Sequence, residues 1–173
     1  MATFRIDPGQ SRVWIEARSS MHPIHGEAQG LEGSIEADVA DGRVDVSGTP
    51  RIKIELPVEN LRSGKKLEDA EMMRRIDARR FPRIRGETTE LKESNGRYRV
   101  RGDLTFHGVT RPVEGEVTIS APDERSLVIE GEQVFDIRDF GVEPPKILML
   151  KVHPDVRVRV KVVAQRDGSQ PDE

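Results

Sequence analysis

Reactive side chains are few in this sequence of 173 residues, and their spacing limits what they can do. There is no cysteine, which removes thiolate nucleophiles, disulfides and Cys-ligated zinc together. His22 and His25 stand close together in Met21-His22-Pro23-Ile24-His25. Two imidazoles so spaced share a metal only on a suitably turned backbone. Pro23 extends or bends the segment and no third ligand is near, so a loop with exposed imidazoles and no metal is expected. His107 falls at a corner between Thr105 and Thr110. A neutral imidazole there holds a turn through hydrogen bonds to backbone or hydroxyls; orienting a ligand's polar end is the sharper alternative. Arg138-Asp139, just ahead of Phe140-Gly141, reads as an Arg–carboxylate pair locking a corner that Gly141 allows to bend. Arg74, Arg75, Arg79, Arg80, Arg83 and Arg85 cluster locally. Glu68, Asp69, Glu71 and Asp77 are interleaved with them, so a solvated face is favoured over a site for a phosphate group or an acidic membrane.

No catalytic set emerges from these groups. There is no Gly-x-Ser-x-Gly elbow, no phosphate-binding loop and no Gly-x-Gly-x-x-Gly opening a helix. Carboxylates are plentiful but fall on the polar positions of alternating segments. The sequence therefore points to a protein that binds rather than catalyses, with no catalytic residues and no cofactor.

Composition narrows the class further. Lys plus Arg is 28 and Asp plus Glu is 31, a net charge of −3, which argues against a general nucleic-acid binder. No apolar run approaches the roughly 18 to 20 residues that cross a bilayer as a helix. The start, Met1-Ala2-Thr3-Phe4-Arg5-Ile6-Asp7-Pro8, lacks the apolar stretch of a secretory signal. The cytoplasm is the compartment expected for the chain as written; a leader removed from it would mean the periplasm or the outside of the cell.

The elements that must position these residues are written in alternation of period two. Val156, Val158, Val160 and Val162 alternate with Arg157, Arg159 and Lys161. Successive strand side chains point to opposite faces, so one face is apolar and the other charged. Val13, Ile15 and Ala17 follow the same rule, as do Ile52, Ile54 and Leu56. So do Val100, Gly102, Leu104 and Phe106, and then Val113, Gly115, Val117 and Ile119. Half-buried antiparallel sheets need only every second residue to be apolar, which reconciles 34% charged residues with a real core. Asp41-Gly42, Asn95-Gly96, His107-Gly108 and Pro122-Asp123 are turn signals between such runs. One segment breaks the pattern. Lys65–Arg80 is rich in helix formers, Ser63 is placed to cap it and Pro82 blocks its continuation. Met72, Met73 and Ile76 share one side of that helix, which lies against the sheet or over an opening.

About eight antiparallel strands and one inserted helix leave a sandwich or a closed barrel. Residues 1–166 are expected to form one domain, and 167–173 a disordered tail. An eight-stranded barrel holds packed side chains or one small ligand, and small inward residues favour the ligand.

The chain resembles the YceI-like family. The resemblance rests on Ile6-Asp7-Pro8 with Ser11-Arg12-Val13, on Gly26 to Gly33 and on Leu61-Arg62-Ser63-Gly64 with Phe81-Pro82. It rests above all on Gly102-Asp103-Leu104-Thr105-Phe106-His107-Gly108-Val109-Thr110 and Asp136-Ile137-Arg138-Asp139-Phe140-Gly141. It covers about Phe4 to Ala164. It implies an all-β, antiparallel, eight-stranded lipocalin-like barrel with one inserted helix, holding a polyisoprenoid or similar long apolar lipid. Ser19 stands where the family commonly has His, and Gly86 where it has an aromatic residue; the helix also looks shorter and more basic. These departures fall near the expected cavity and bear on the ligand rather than the fold. The cavity candidates are Val13, Ile15, Ala17, Ile52, Ile54, Leu104, Phe106, Val117, Ile119, Val156, Val158 and Val160, with Met72, Met73 and Ile76 from the helix. The expected partner is an apolar isoprenoid-like lipid; a homodimer is left open. The alternative is an interaction protein of the same fold with a filled core, acting through its charged surface. A weaker third is an enzyme on a lipid-like substrate, with His107 and the Ser19 region as its only polar candidates.

Overall fold

The structure is a computed structural model that describes residues 1–144, 146–147 and 150–168. Its strands are β1 (Ala2–Ile6), β2 (Arg12–Ser19), β3 (Pro23–Ala28), β4 (Glu32–Ala37), β5 (Val39–Ala40), β6 (Arg43–Val44) and β7 (Arg51–Pro57). After helix α1 (Lys66–Arg75) come β8 (Arg83–Ser94), β9 (Arg97–Phe106), β10 (Val109–Asp123), β11 (Ser126–Asp136), β12 (Lys146–Ile147) and β13 (Leu150–Arg166).

Antiparallel pairing runs β1-β4-β7-β8-β9-β10-β11-β13 and returns to β1, so eight strands close a ring. Closure removes the free edges that an open sheet of such long strands would present. β1 and β2 lie end to end along β13: Phe4 pairs with Arg166 and Ala17 with Val156. The break between them is the Asp7–Gln10 loop. There the Asp7 carboxylate accepts from the Gly9 and Gln10 amides and the Gln10 side chain, and that side-chain bond holds its pKa below the usual carboxylate range. Ser11 follows, fully buried, and its hydroxyl accepts the Val163 amide at 3.0 Å, replacing a ladder bond that the break removes. β3 and β4 continue each other in the same way, against β2 and β1.

Turn chemistry explains the hairpins. Asp41-Gly42, Asn95-Gly96 and His107-Gly108 all have positive φ at both residues, as type I′ connections require. The turn expected at Pro122-Asp123 sits two residues later: Asp123 pairs with Ser126, so Glu124-Arg125 makes the corner. The Asp123 carboxylate accepts the Arg125 amide at 2.7 Å. Helix α1 is shorter than the run Lys65–Arg80. It ends because Asp77 turns left-handed at φ 50, and Ile76 closes it by donating to Met72 O. Ser63 does not cap it. Its hydroxyl takes the Lys65 amide, while the buried Asp69 carboxylate reaches back to the Ser63 amide at 2.7 Å.

One end of the ring is sealed. Phe4, Ile35, Ala37, Leu127 and Ala164 are almost inaccessible, and Val44 of the β5–β6 hairpin lies over that end. Asp167, expected in a disordered tail, is anchored: its amide donates to Thr3 O at 2.7 Å and its carboxylate pairs with Arg5 at 3.5 Å. The remainder of that expectation, residues 169–173, lies outside the described residues.

Candidate functional site

The opposite end is the mouth, reached by the β2–β3 turn, the His107-Gly108 turn and the single helical turn Ile137–Phe140. The chain between β7 and β8, which contains α1, packs there. Ile76, Val58 and Val142 are buried together, with Met72, Met73, Ile84, Phe106 and Ile137 against them. Met72 and Met73 also touch the main core, so they join the helix to the barrel wall.

Of the cavity candidates, Ile15, Ile52, Ile54, Leu104, Phe106, Val117, Ile119, Val156, Val158 and Val160 lie on the inward face of the ring and are only half-buried. Met72 and Met73 are half-buried too. Three candidates are placed differently. Val13 is buried in the core of the sealed end, so it fills that end. Ala17 packs with Val152 in a small cluster of its own near the mouth. Ile76 is only 5% exposed, under the inserted segment. Alternation gives a residue's face but not its level along the axis, which is why Val13 and Ala17 were indistinguishable from the rest, and helical spacing gives Ile76 a side but not a depth.

Gly86 opens no space of its own. A Cβ there would stand 2.9 Å from Ile54 Cγ1 and 3.8 Å from Leu104 Cδ1, so neighbouring aliphatic chains occupy the place of an aromatic ring. Ser19 turns away into local structure, its hydroxyl donating to His22 O and accepting the His22 amide.

The polar candidates resolve individually. His107 Nδ1 lies 3.0 Å from Phe140 O, so that nitrogen carries the proton and donates. The ring stands edge-on to Phe81 at 5.1 Å, and the Thr105 and Thr110 hydroxyls bond each other instead. Arg138 pairs with Asp136 at 2.7 Å, not with Asp139, and that pair lowers the Asp136 pKa. The corner still bends at Gly141, φ 73. His25 is on β3 rather than in a loop, exposed, 3.6 Å from Glu16; His22 is in the turn before it. Among the described residues no group of three or more His, Asp and Glu converges as a metal site would. The arginine cluster is largely claimed: Glu71 takes Arg74 and Arg75, Glu55 takes Arg83 and Arg85, and Arg80 covers the Phe81 ring.

Two clefts mark the outer wall. A groove of about 1530 Å³ runs from the Pro8-Gly9 loop over Trp14, Glu16 and His25 to Asn60, Arg62 and Ser63. Its rim carries mixed charges, and Arg159 lies over the Trp14 ring at 4.4 Å. Glu27 and Arg62 close its back by exchanging backbone hydrogen bonds at 2.9 and 3.0 Å. A second cleft, of about 760 Å³, lies between β10 and β11 and involves Gly115, Val117, Gly131 and Gln133. Sequence reading missed Gln133 and Arg111, both on the inward face by register. Their parity with Phe135 and Val113 was the available signal. Arg111 sits near the mouth and donates to Asp139 O at 2.9 Å.

A closed antiparallel ring of eight strands, sealed at one end and crossed at the other by an inserted helix, defines a lipocalin-like β-barrel. The chain belongs to the YceI-like domain family, whose model matches residues 4–164. A UPF0312 protein of Pseudomonas fluorescens is 24% identical over 155 residues, 83% of this chain and 78% of its own. Another from Pseudomonas putida is 23% identical over 168 residues, 91% of this chain and 85% of its own. Among solved structures, BcnA of Burkholderia cenocepacia superposes with a TM-score of 0.77 at 18% identity, over 91% of this chain and 98% of its own. A polyisoprenoid-binding domain from Saccharophagus degradans gives 0.74 at 9% identity, over 96% of this chain and 100% of its own. At these identities the structural matches speak for the fold.

Proposed function

We propose that this protein binds and sequesters a long apolar lipid, of the polyisoprenoid or isoprenoid-quinone type, inside its barrel, and that it works without catalysis. The observation that carries the reading is the gradient of accessibility along the inward face. Phe4, Ile35, Leu127 and Ala164 are at most 2% exposed, whereas Ile15, Ile54, Val117, Val158 and Val160, on the same face of the closed ring, are only partly buried. A filled barrel would bury both sets alike. The accessible stretch is mostly aliphatic, with Gln133 and Arg111 its polar members by register, so it favours a ligand held by apolar burial, about 0.8 kcal/mol for each methylene taken from water. The polyisoprenoid-binding domain of the same fold supports the lipid class.

The test is native mass spectrometry of the purified protein, then organic extraction and identification of what is released. A stoichiometric apolar molecule is the expected result. A mass that stays that of the bare chain after incubation with isoprenoids and quinones would overturn the reading in favour of a filled-core interaction protein.

A further inference from the structure

Among the described residues the wall of the barrel is incomplete along the outer edge of β3, which only the Glu27–Arg62 exchange ties to the segment after β7, and again between β10 and β11. β10 pairs with β9 from Val109 to Val117, and β11 pairs with β13 from Ser126 to Asp136. Between β10 and β11, however, the ladder stops at Val117–Gly131, leaving residues 109–116 and 132–136 unpaired with each other. The sequence supplies the reason. Continuing the register by one step would set Glu116 opposite Glu132, and like charges directly opposite destabilise a strand pair. The next step sets Gly115 opposite Gln133, and glycine contributes no cross-strand side chain. The ion pairs do not span the gap: Glu114 and Glu116 are taken by Arg99 and Arg97 on one side, and Glu132 by Arg157 on the other. The cleft of about 760 Å³ at this place is lined mostly by outward-facing charged residues, Glu116 and Glu132 among them, and reaches Gly115, Val117, Gly131 and Gln133 of the inward register. The cleft lies on the outer wall, among Arg97, Arg99, Glu130 and Arg159, and its floor is the stretch where the two strands part. Towards the mouth, the Arg111 bond to Asp139 O ends the gap. Gln133 leans across it: its Oε1 is 3.3 Å from where a Gly115 Cβ would stand.

We infer that this slit between β10 and β11 is a side portal through which an apolar chain enters and leaves the barrel, with Gln133 as its gate. The inference rests on the lipid-binding reading above and adds the route. An isoprenoid tail needs a gap free of side-chain bulk and of backbone groups that must be separated first. Beyond the Val117–Gly131 pair no ladder bond has to break, and beside Gly115 the side chain that must move aside is Gln133. The mouth, by contrast, is packed by Val58, Ile76, Val142 and the two methionines.

The experiment uses a dansylated farnesyl chain as probe and stopped-flow fluorescence to read its association and dissociation. The chain has no cysteine, so Glu116→Cys with Glu132→Cys introduces one pair that oxidation staples across the slit. The oxidised protein is expected to slow both rates about tenfold or more with an almost unchanged Kd, because a gate alters both directions alike. Adding reductant should restore the rates in the same molecules, which controls for folding. Gln133→Ala is expected to raise both rates. Rates that ignore both the staple and the Gln133 variant would overturn the portal and leave exchange to the mouth or the β3 edge, with lipid binding itself intact. No probe binding by the parent protein would defeat the lipid reading, and the portal with it.

Discussion

Ile54 occupies the space that a side chain at Gly86 would need: a Cβ on Gly86 falls 2.9 Å from Ile54 Cγ1 and 3.1 Å from its Cδ1, across the β7–β8 pair. The two positions are therefore one packing unit. Gly86→Ala should destabilise the fold by about 1–3 kcal/mol through overpacking. Ile54→Ala removes the opposing atoms, so the double variant should lose less than the sum of the singles, with a coupling of about 1 kcal/mol. Urea unfolding of the four proteins checks this; strict additivity would refute it.

Ser11 stands in for a missing strand bond. Its hydroxyl takes the Val163 amide at 3.0 Å in a fully buried position. Ser11→Ala leaves that amide without a partner and should cost about 1–3 kcal/mol. Hydrogen exchange should show the loss at the Val163 amide before it appears elsewhere.

The pattern of strands, turns and one helix was legible because each inward residue is written at period two and each I′ corner carries Gly at its second position. Ring closure was legible only through the family resemblance, since alternation does not say which strand meets which. The slit was hidden for a related reason. Glu116 and Glu132 look like ordinary outward carboxylates until register sets them opposite each other. Likewise Arg138 was matched to its neighbour Asp139, but the single turn at Ile137–Phe140 directs it back to Asp136, which also accepts the Arg138 amide.

Tyr98 closes the sealed end, and its hydroxyl accepts the Val44 amide at 3.3 Å. Burial pushes its pKa above the ordinary tyrosine value. The folded protein then holds a proton that the unfolded chain releases. This contribution to stability is fully present below the unfolded pKa, about 10, and is lost as pH rises through the higher folded one. The alkaline limb of a stability–pH curve should therefore be shallower in Tyr98→Phe. Identical limbs would show that Tyr98 has no part in it.

His107 is left-handed at φ 55 and bonds Phe140 O. His107→Ala loses the bond and sets an alanine in a conformation it avoids, for about 1–2 kcal/mol. Asn tolerates that backbone but lacks the ring, so thermal unfolding should rank His107→Asn between the parent and His107→Ala.

Val158 faces Ile15 on one side and Gln133 on the other, halfway along the accessible stretch. Val158→Trp should fill space the ligand needs and weaken binding of an isoprenoid probe about tenfold or more, with the folded baseline kept. Fluorescence titration reads the first, and near-ultraviolet circular dichroism the second. Undiminished affinity would place the ligand outside the barrel.

The pairing of Phe4 with Arg166 sets the order in which the molecule can be made. On the ribosome β1 emerges early and β13 last, yet β13 is the strand that both β1 and β2 require. Until it arrives the nascent sheet has two open edges and an uncovered apolar face, the condition in which β-proteins aggregate. The heavily charged outer face is then a safeguard during synthesis as much as a feature of the finished barrel. A chain halted before β13 should be held by chaperones or degraded rather than accumulate as a smaller barrel.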